Sequence, residues 1–205
     1  MKTREEIETI LDSYRLEYIF HTREDYMVLE IACVFTKDEC REIISFAKNN
    51  GLNDSGLVDK KNQEDIKRSR ISKDTFICHY HHPLLNKLSI LCEELTGRPV
   101  SHQEKVQIVE YQVGGKFLAH YDACNKKMPF SDYEINSELR LRGSQRESTL
   151  ILYLNDECDG GETTFPFLNI TVKPSYGKVI LFPNLNNSID QDINKFSLHQ
   201  GCMVQ

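Results

Sequence analysis

Val106-Gln-Ile-Val-Glu-Tyr111-Gln-Val-Gly-Gly-Lys116-Phe117-Leu-Ala-His120-Tyr-Asp122 marks a change of texture in this 205-residue chain. Residues 106–113 and 116–121 are rich in Val, Ile, Tyr and Phe and are parted by Gly114-Gly115, the pattern of strands bounded by turn residues. Runs of the same kind recur at 149–154, 163–167, 169–173, 178–182 and 196–204, divided by Gly, Pro, Asn and Asp. Seven short strands in close succession predict a β-sandwich or barrel. The interval 123–147 is long and charged, the kind of loop that covers a site on such a scaffold.

Upstream the pattern is helical. Residues 1–50 read as helix apart from the β-rich stretch 26–35. Thr36 and Glu39 have capping-box spacing, Ile43, Ile44 and Ala47 form a stripe, and Asn49-Asn50-Gly51 ends it. Residues 52–68 are polar and loop-like. Pro83 opens a second helix whose Leu84, Leu85, Leu88, Leu91 and Leu95 share a face, and Gly97 stops it. These leucines read as core. The expected organisation is a helical or mixed supporting region, 1–103, and a β core, 104–205, in one structural domain.

A composition of 40% hydrophobic and 27% charged residues excludes fibrous and wholly disordered classes. The net charge of −6 argues against nucleic-acid or acidic-membrane partners. Met1-Lys-Thr-Arg-Glu-Glu lacks the apolar region of a secretory leader, and the longest apolar run, 150–154, is too short to cross a bilayer. Seven cysteines, odd in number and without framework spacing, predict reduced thiols and a cytoplasmic setting.

His120-Tyr-Asp122 closes the second predicted strand. Residues i and i+2 of a strand project together, so an imidazole and a carboxylate would share one face. A metal centre needs one more ligand. The bare His-x-Asp motif is expected about 0.4 times by chance in this composition, so alone it reads better as a histidine hydrogen-bonded to a nearby Asp at a strand end. Cys78-His79-Tyr80-His81-His82 lacks the second ligand pair of a structural zinc site. Lys67-Arg68-Ser69-Arg70 reads as a solvated loop.

His199 lies in the last predicted strand, ahead of Gln200-Gly201-Cys202. Glu104 to His120, Arg146-Glu-Ser-Thr-Leu-Ile-Leu-Tyr-Leu-Asn-Asp156 and Gly160-Gly-Glu-Thr163-Thr-Phe-Pro166 precede it. In this order the segments resemble the prolyl 4-hydroxylase branch of the Fe(II)- and 2-oxoglutarate-dependent dioxygenases, from about Thr36 onward and most closely from Glu104. The resemblance implies an α+β fold: a double-stranded β-helix (jelly roll) core buttressed by N-terminal helices. It implies His120, Asp122 and His199 as iron ligands, three donors on one face that leave three positions open. It further implies 2-oxoglutarate and dioxygen as co-substrates, ascorbate as reductant, and hydroxylation of a proline-containing peptide or protein at C4 with release of succinate and CO2.

Tyr111, nine residues before His120, and Thr163 match residues that contact the co-substrate in that family. Arg146, Glu104, Arg70 and Ser72 match residues of its peptide groove. Phe117 replaces a tyrosine, which keeps an aromatic wall and removes a hydroxyl. The family also places a lysine about ten residues after the second histidine, to offset the cost of a buried carboxylate. That position lies past Gln205, and Cys202-Met203-Val204 reads as a strand that continues beyond it. Two other readings stand beside this one. They are the same chemistry on another side chain or an alkylated base, and a non-catalytic jelly-roll module that keeps the triad.

Overall fold

Thr3 caps α1 (Arg4–Ser13) and Thr36 caps α2 (Lys37–Asn50) in a computed structural model that describes residues 1–55, 70–123, 145–186 and 192–205. In both caps the threonine hydroxyl accepts from the N–H three residues on, while Glu6 or Glu39 accepts from the cap N–H. Donors that every helix start leaves unpaired are thereby satisfied. The Thr36 box is the one expected from the sequence. As expected too, Pro83 begins α3 (Pro83–Thr96) and Gly97 ends it in the left-handed conformation, its N–H donating to the Glu93 carbonyl.

Residues 18–23, expected as helix, are a strand. β1 (Tyr18–Arg23) pairs residue for residue with β2 (Tyr26–Ile31). A six-residue segment is too short to hold a helix by itself, and Glu24, at φ 52°, makes the tight turn of a two-residue hairpin. β3 (Asn53–Asp54), β4 (Arg70–Ile71) and β5 (Lys73–Ile77) are further strands that the sequence does not announce. From residue 106 onward all seven expected strands are present. They are β6 (Val106–Glu110), β7 (Lys116–His120), β8 (Ser148–Leu152), β9 (Thr163–Phe165), β10 (Ile170–Val172), β11 (Val179–Pro183) and β12 (His199–Gly201). Most of the interval 123–147, and Lys67, Arg68 and Ser69 of the basic patch, lie outside the described residues.

The strands form antiparallel sheets of order β1-β2-β11-β8 and β10-β9-β12-β7-β4, with a third of order β3-β5-β6. β11 shows how the first two are fastened. Its Val-Ile-Leu-Phe run is fully buried because both faces are covered. Val179 and Leu181 pack outward with Leu29 and Ile31 against Ile7, Leu11, Ile43, Leu85 and Leu95 of the helices. Ile180 and Phe182 pack inward with Tyr26, Val28, Phe165, Val172 and Phe196, between the sheets. Each such side chain contributes about 1.5–3 kcal/mol. The result is a jelly roll with helices on the outside of one sheet, and strands from residues 18–31 complete that sheet. Among the described residues no helix is long and apolar enough to cross a membrane.

Candidate metal centre

β12 lies antiparallel to β7 with His199 directly opposite His120. Asp122, two residues past His120, shares its side of the strand. One ligand atom from each of the three side chains falls within 4.8 Å of the others, the only such group of His, Cys, Asp or Glu among the described residues. Nε2 of His120 is 3.5 Å from Asp122 Oδ1, and Nε2 of His199 is 3.7 Å from Asp122 Oδ2.

Backbone carbonyls fix how the imidazoles present themselves. Nδ1 of His120 lies 2.8 Å from the Leu118 carbonyl, and Nδ1 of His199 lies 2.9 Å from that of Ser197. A carbonyl only accepts, so each Nδ1 carries a hydrogen, and in the neutral ring Nε2 is then the nitrogen whose lone pair is available to the centre. Burial lowers the pKa of His199 and favours its neutral form. Burial opposes ionisation of Asp122, but its contacts with His120 and His199 and a hydrogen bond from Thr149 outweigh it and hold the carboxyl well below the usual range. Two imidazoles and one carboxylate, converging on one point, are the donor set of a facial non-haem Fe(II) site, and the residues fit that metal.

Aromatic rings make the surround. Phe117 stacks on His120 with centroids 3.6 Å apart and 18° between planes, and Phe182 meets the His199 ring edge-on at 4.9 Å.

A family model, the 2OG-Fe(II) oxygenase superfamily, matches residues 106–205, the span that supplies all three ligands. Over that span the chain is similar to the 2OG-Fe(II) oxygenases. Enzymes of this family use Fe(II), 2-oxoglutarate and dioxygen. Beyond the domain, the chain is 31% identical over 189 residues to probable prolyl 4-hydroxylase 10 of Arabidopsis thaliana, which covers 82% of this chain and 61% of the relative. It is 30% identical over 135 residues to the human prolyl 4-hydroxylase subunit alpha-1, covering 66% of this chain and 24% of that one. The chain thus spans about 60% of the length of the plant relatives. Among solved structures, it is similar to a viral collagen prolyl hydroxylase from Paramecium Bursaria Chlorella virus-1 in complex with 2OG. The TM-score is 0.66 at 26% identity, covering 87% of this chain and 88% of that one.

Around the triad, Tyr111, Arg70 and Ser72 form one cluster. Burial raises the pKa of the Tyr111 hydroxyl, while Arg70 and Ser72 hydrogen-bond to it and pull the other way. Arg70 is buried. Its Nε donates to Ser72 Oγ at 2.9 Å, Nη2 lies 3.6 Å from Asp74 Oδ2, and its guanidinium sits 4.8 Å from the Phe117 ring centroid. Thr163 is buried and accepts from the Tyr153 hydroxyl at 2.6 Å. Arg146 and Glu104 grip each other through Nε–Oε1 at 2.5 Å and Nη2–Oε2 at 2.9 Å, and Arg146 Nη1 donates to the Asp122 carbonyl at 3.3 Å.

Two histidines of the stretch 78–82 are spent on packing and capping. His79 bonds Ser89 at 2.6 Å, while His82 caps α3 and pairs with Glu42 at 3.2 Å. Thr149, Tyr153, Asp74 and Asn184 all touch the site or its neighbours and carry no sequence signal. They look like ordinary strand and loop residues until the sheets bring them in.

Proposed function

We propose that this oxygenase domain hydroxylates a peptidyl proline at C4, consuming 2-oxoglutarate and dioxygen and releasing succinate and CO2. The carrying observation is the convergence of His120, Asp122 and His199 with both Nε2 lone pairs turned to one point. Fe(II) with 2-oxoglutarate, when bound, supplies oxidative decarboxylation coupled to insertion of one oxygen atom into an unactivated C–H bond. The chain's own residues hold and shield. Two imidazoles and a carboxylate would hold the metal and leave it accessible to co-substrate and dioxygen. Phe117 and Phe182 line the centre with apolar surface that keeps water away.

Tyr111 and Thr163 are assigned to the co-substrate, and Arg70 and Ser72, which lie beside Tyr111, to the peptide groove. Arg146 and Glu104 are assigned to the peptide, and the Arg146 bond to the Asp122 carbonyl ties the groove to the metal loop. The substrate class is supported by the names of the relatives, which are prolyl 4-hydroxylases of plant and human origin. Ascorbate as reductant and a cytoplasmic, reducing setting complete the proposal, since the iron must be ferrous.

The test is incubation with Fe(II), 2-oxoglutarate, ascorbate and a panel of proline-containing peptides, read by mass spectrometry. Succinate formation with one oxygen atom gained on proline is expected. Peptides unchanged across the panel, with no succinate above a metal-free control, would sink the proposal.

A further inference from the structure

Asn184, at the end of β11, is fully buried and is not itself a ligand. Its Nδ2 donates to Thr149 Oγ1 at 2.9 Å, and Thr149 Oγ1 donates to Asp122 Oδ2 at 2.6 Å. The direction of this chain is forced. An ionised carboxylate can only accept, so the single hydroxyl hydrogen of Thr149 points at Asp122. Oγ1 must then receive its other bond from a donor, which puts the amide nitrogen of Asn184, not its oxygen, against Thr149. Asn184 Oδ1 is left as a buried oxygen without a hydrogen-bond partner among the described residues. An orphaned acceptor is costly, and the fold keeps it in order to deliver the N–H.

The backbone of the same residue reaches the other side of the centre. The Asn184 carbonyl accepts from the Asn194 N–H at 2.9 Å, and the Asn194 carbonyl accepts from the Ser197 N–H at 3.0 Å and from Ser197 Oγ at 2.8 Å. Ser197 is the residue whose own carbonyl holds Nδ1 of His199. The Asn184 N–H, in turn, donates to the Glu147 carbonyl at 2.8 Å, next to the start of β8 that carries Thr149.

We infer that Asn184 and Thr149 are positioning residues. Through them one oxygen of Asp122 is tied down and the other left for the metal, while Asn184's main chain sets the turn that aims His199. The inference rests on the reading of the triad as a metal centre and goes beyond it by naming what orients it. Partners of this kind typically change metal affinity about ten- to a hundredfold when removed.

The experiment is Co(II) titration of the purified chain, without 2-oxoglutarate or peptide, read by calorimetry and by the visible ligand-field spectrum. Thr149→Val keeps the shape and removes the hydroxyl, so Co(II) affinity falls about tenfold or more and the spectrum shifts. Thr149→Ser restores both. Asn184→Asp offers an acceptor where a donor stood, so the Thr149 hydroxyl turns away from Asp122 and affinity falls as in Thr149→Val. The double variant Thr149→Val with Asn184→Asp loses little more than either alone, because both cut one chain. Thermal unfolding of each metal-free variant separates loss of fold from loss of aim.

Unchanged affinity and spectrum in Thr149→Val, or equal losses in Thr149→Ser, would overturn the inference while wild-type Co(II) binding kept the metal reading intact. No Co(II) binding by the wild type would overturn both.

Discussion

Phe117 meets both a cation and a proposed metal ligand. The Arg70 guanidinium lies 4.8 Å from its ring centroid, and the His120 ring stacks on it at 3.6 Å. Aromatic pairs of this kind contribute about 0.5–1.5 kcal/mol beyond the area they bury. Phe117→Ala is therefore expected to weaken Co(II) binding about two- to tenfold, whereas Phe117→Tyr keeps the stack and the affinity. Calorimetry on the two variants checks this, and equal behaviour would deny the ring a role in holding His120. At this scale the ligands themselves were legible, because His-x-Asp on a strand and a distant histidine come with ordered flanking motifs. Thr149 and Asn184 were not. Their roles follow from which strands lie side by side, and nothing in their immediate neighbours in sequence encodes that. Glu104 and Arg146 show the same limit: each could be picked out singly, but their mutual grip across the fold is visible only in three dimensions.

Elements were legible where local chemistry dictates them. The Thr36–Glu39 box, the leucine face of α3 and its Gly97 stop, and the seven strands after residue 106 all follow from periodicity and caps. β1 is not legible in the sequence because six residues with mixed polarity acquire strand character only by pairing with β2. β4 and β5 are likewise made by their partners β7 and β6. One turn shows an element under strict steric demand. Gly160 has φ 77° and bridges to Val204, and a Cβ there would stand 2.1 Å from the Met203 carbonyl oxygen. Gly51 has a similar φ of 83° with open space around it. Gly160→Ala is thus expected to lower the melting temperature by clearly more than Gly51→Ala, the latter losing about 2–4 °C per kcal/mol of backbone strain. Equal losses by differential scanning fluorimetry would mean that the Gly160 turn gives way without cost.

Across the whole molecule, a charged group on the inner face of the β1-β2-β11-β8 sheet ties its N-terminal strands to the core. Glu30 Oε2 lies 3.0 Å from His21 Nε2, and Glu30 Oε1 lies 2.9 Å from Lys178 Nζ, so β1, β2 and the approach to β11 are joined. Burial raises the Glu30 pKa, but the hydrogen bonds and charges of Lys178 and His21 outweigh it and leave the net shift downward. A carboxylate depressed on folding stabilises the native state above its unfolded value of 4.5, and that contribution disappears as pH falls through the folded value. The melting-temperature gap between wild type and Glu30→Gln should be open at neutral pH and close in the acid range below about pH 4.5. A gap that stays constant down to about pH 3 would show that the cluster's charge does not stabilise the fold.

The same architecture, one sheet backed by helices and the other presenting His120 and His199 on paired strands, makes the metal centre the point on which the functional account stands. Anaerobic calorimetry of 2-oxoglutarate binding to the wild-type chain, with and without Fe(II) and beside His199→Ala, tests it most directly. The account predicts 2-oxoglutarate binding that requires Fe(II) and is lost in His199→Ala. Binding indifferent to the metal, or undiminished by the substitution, would contradict it.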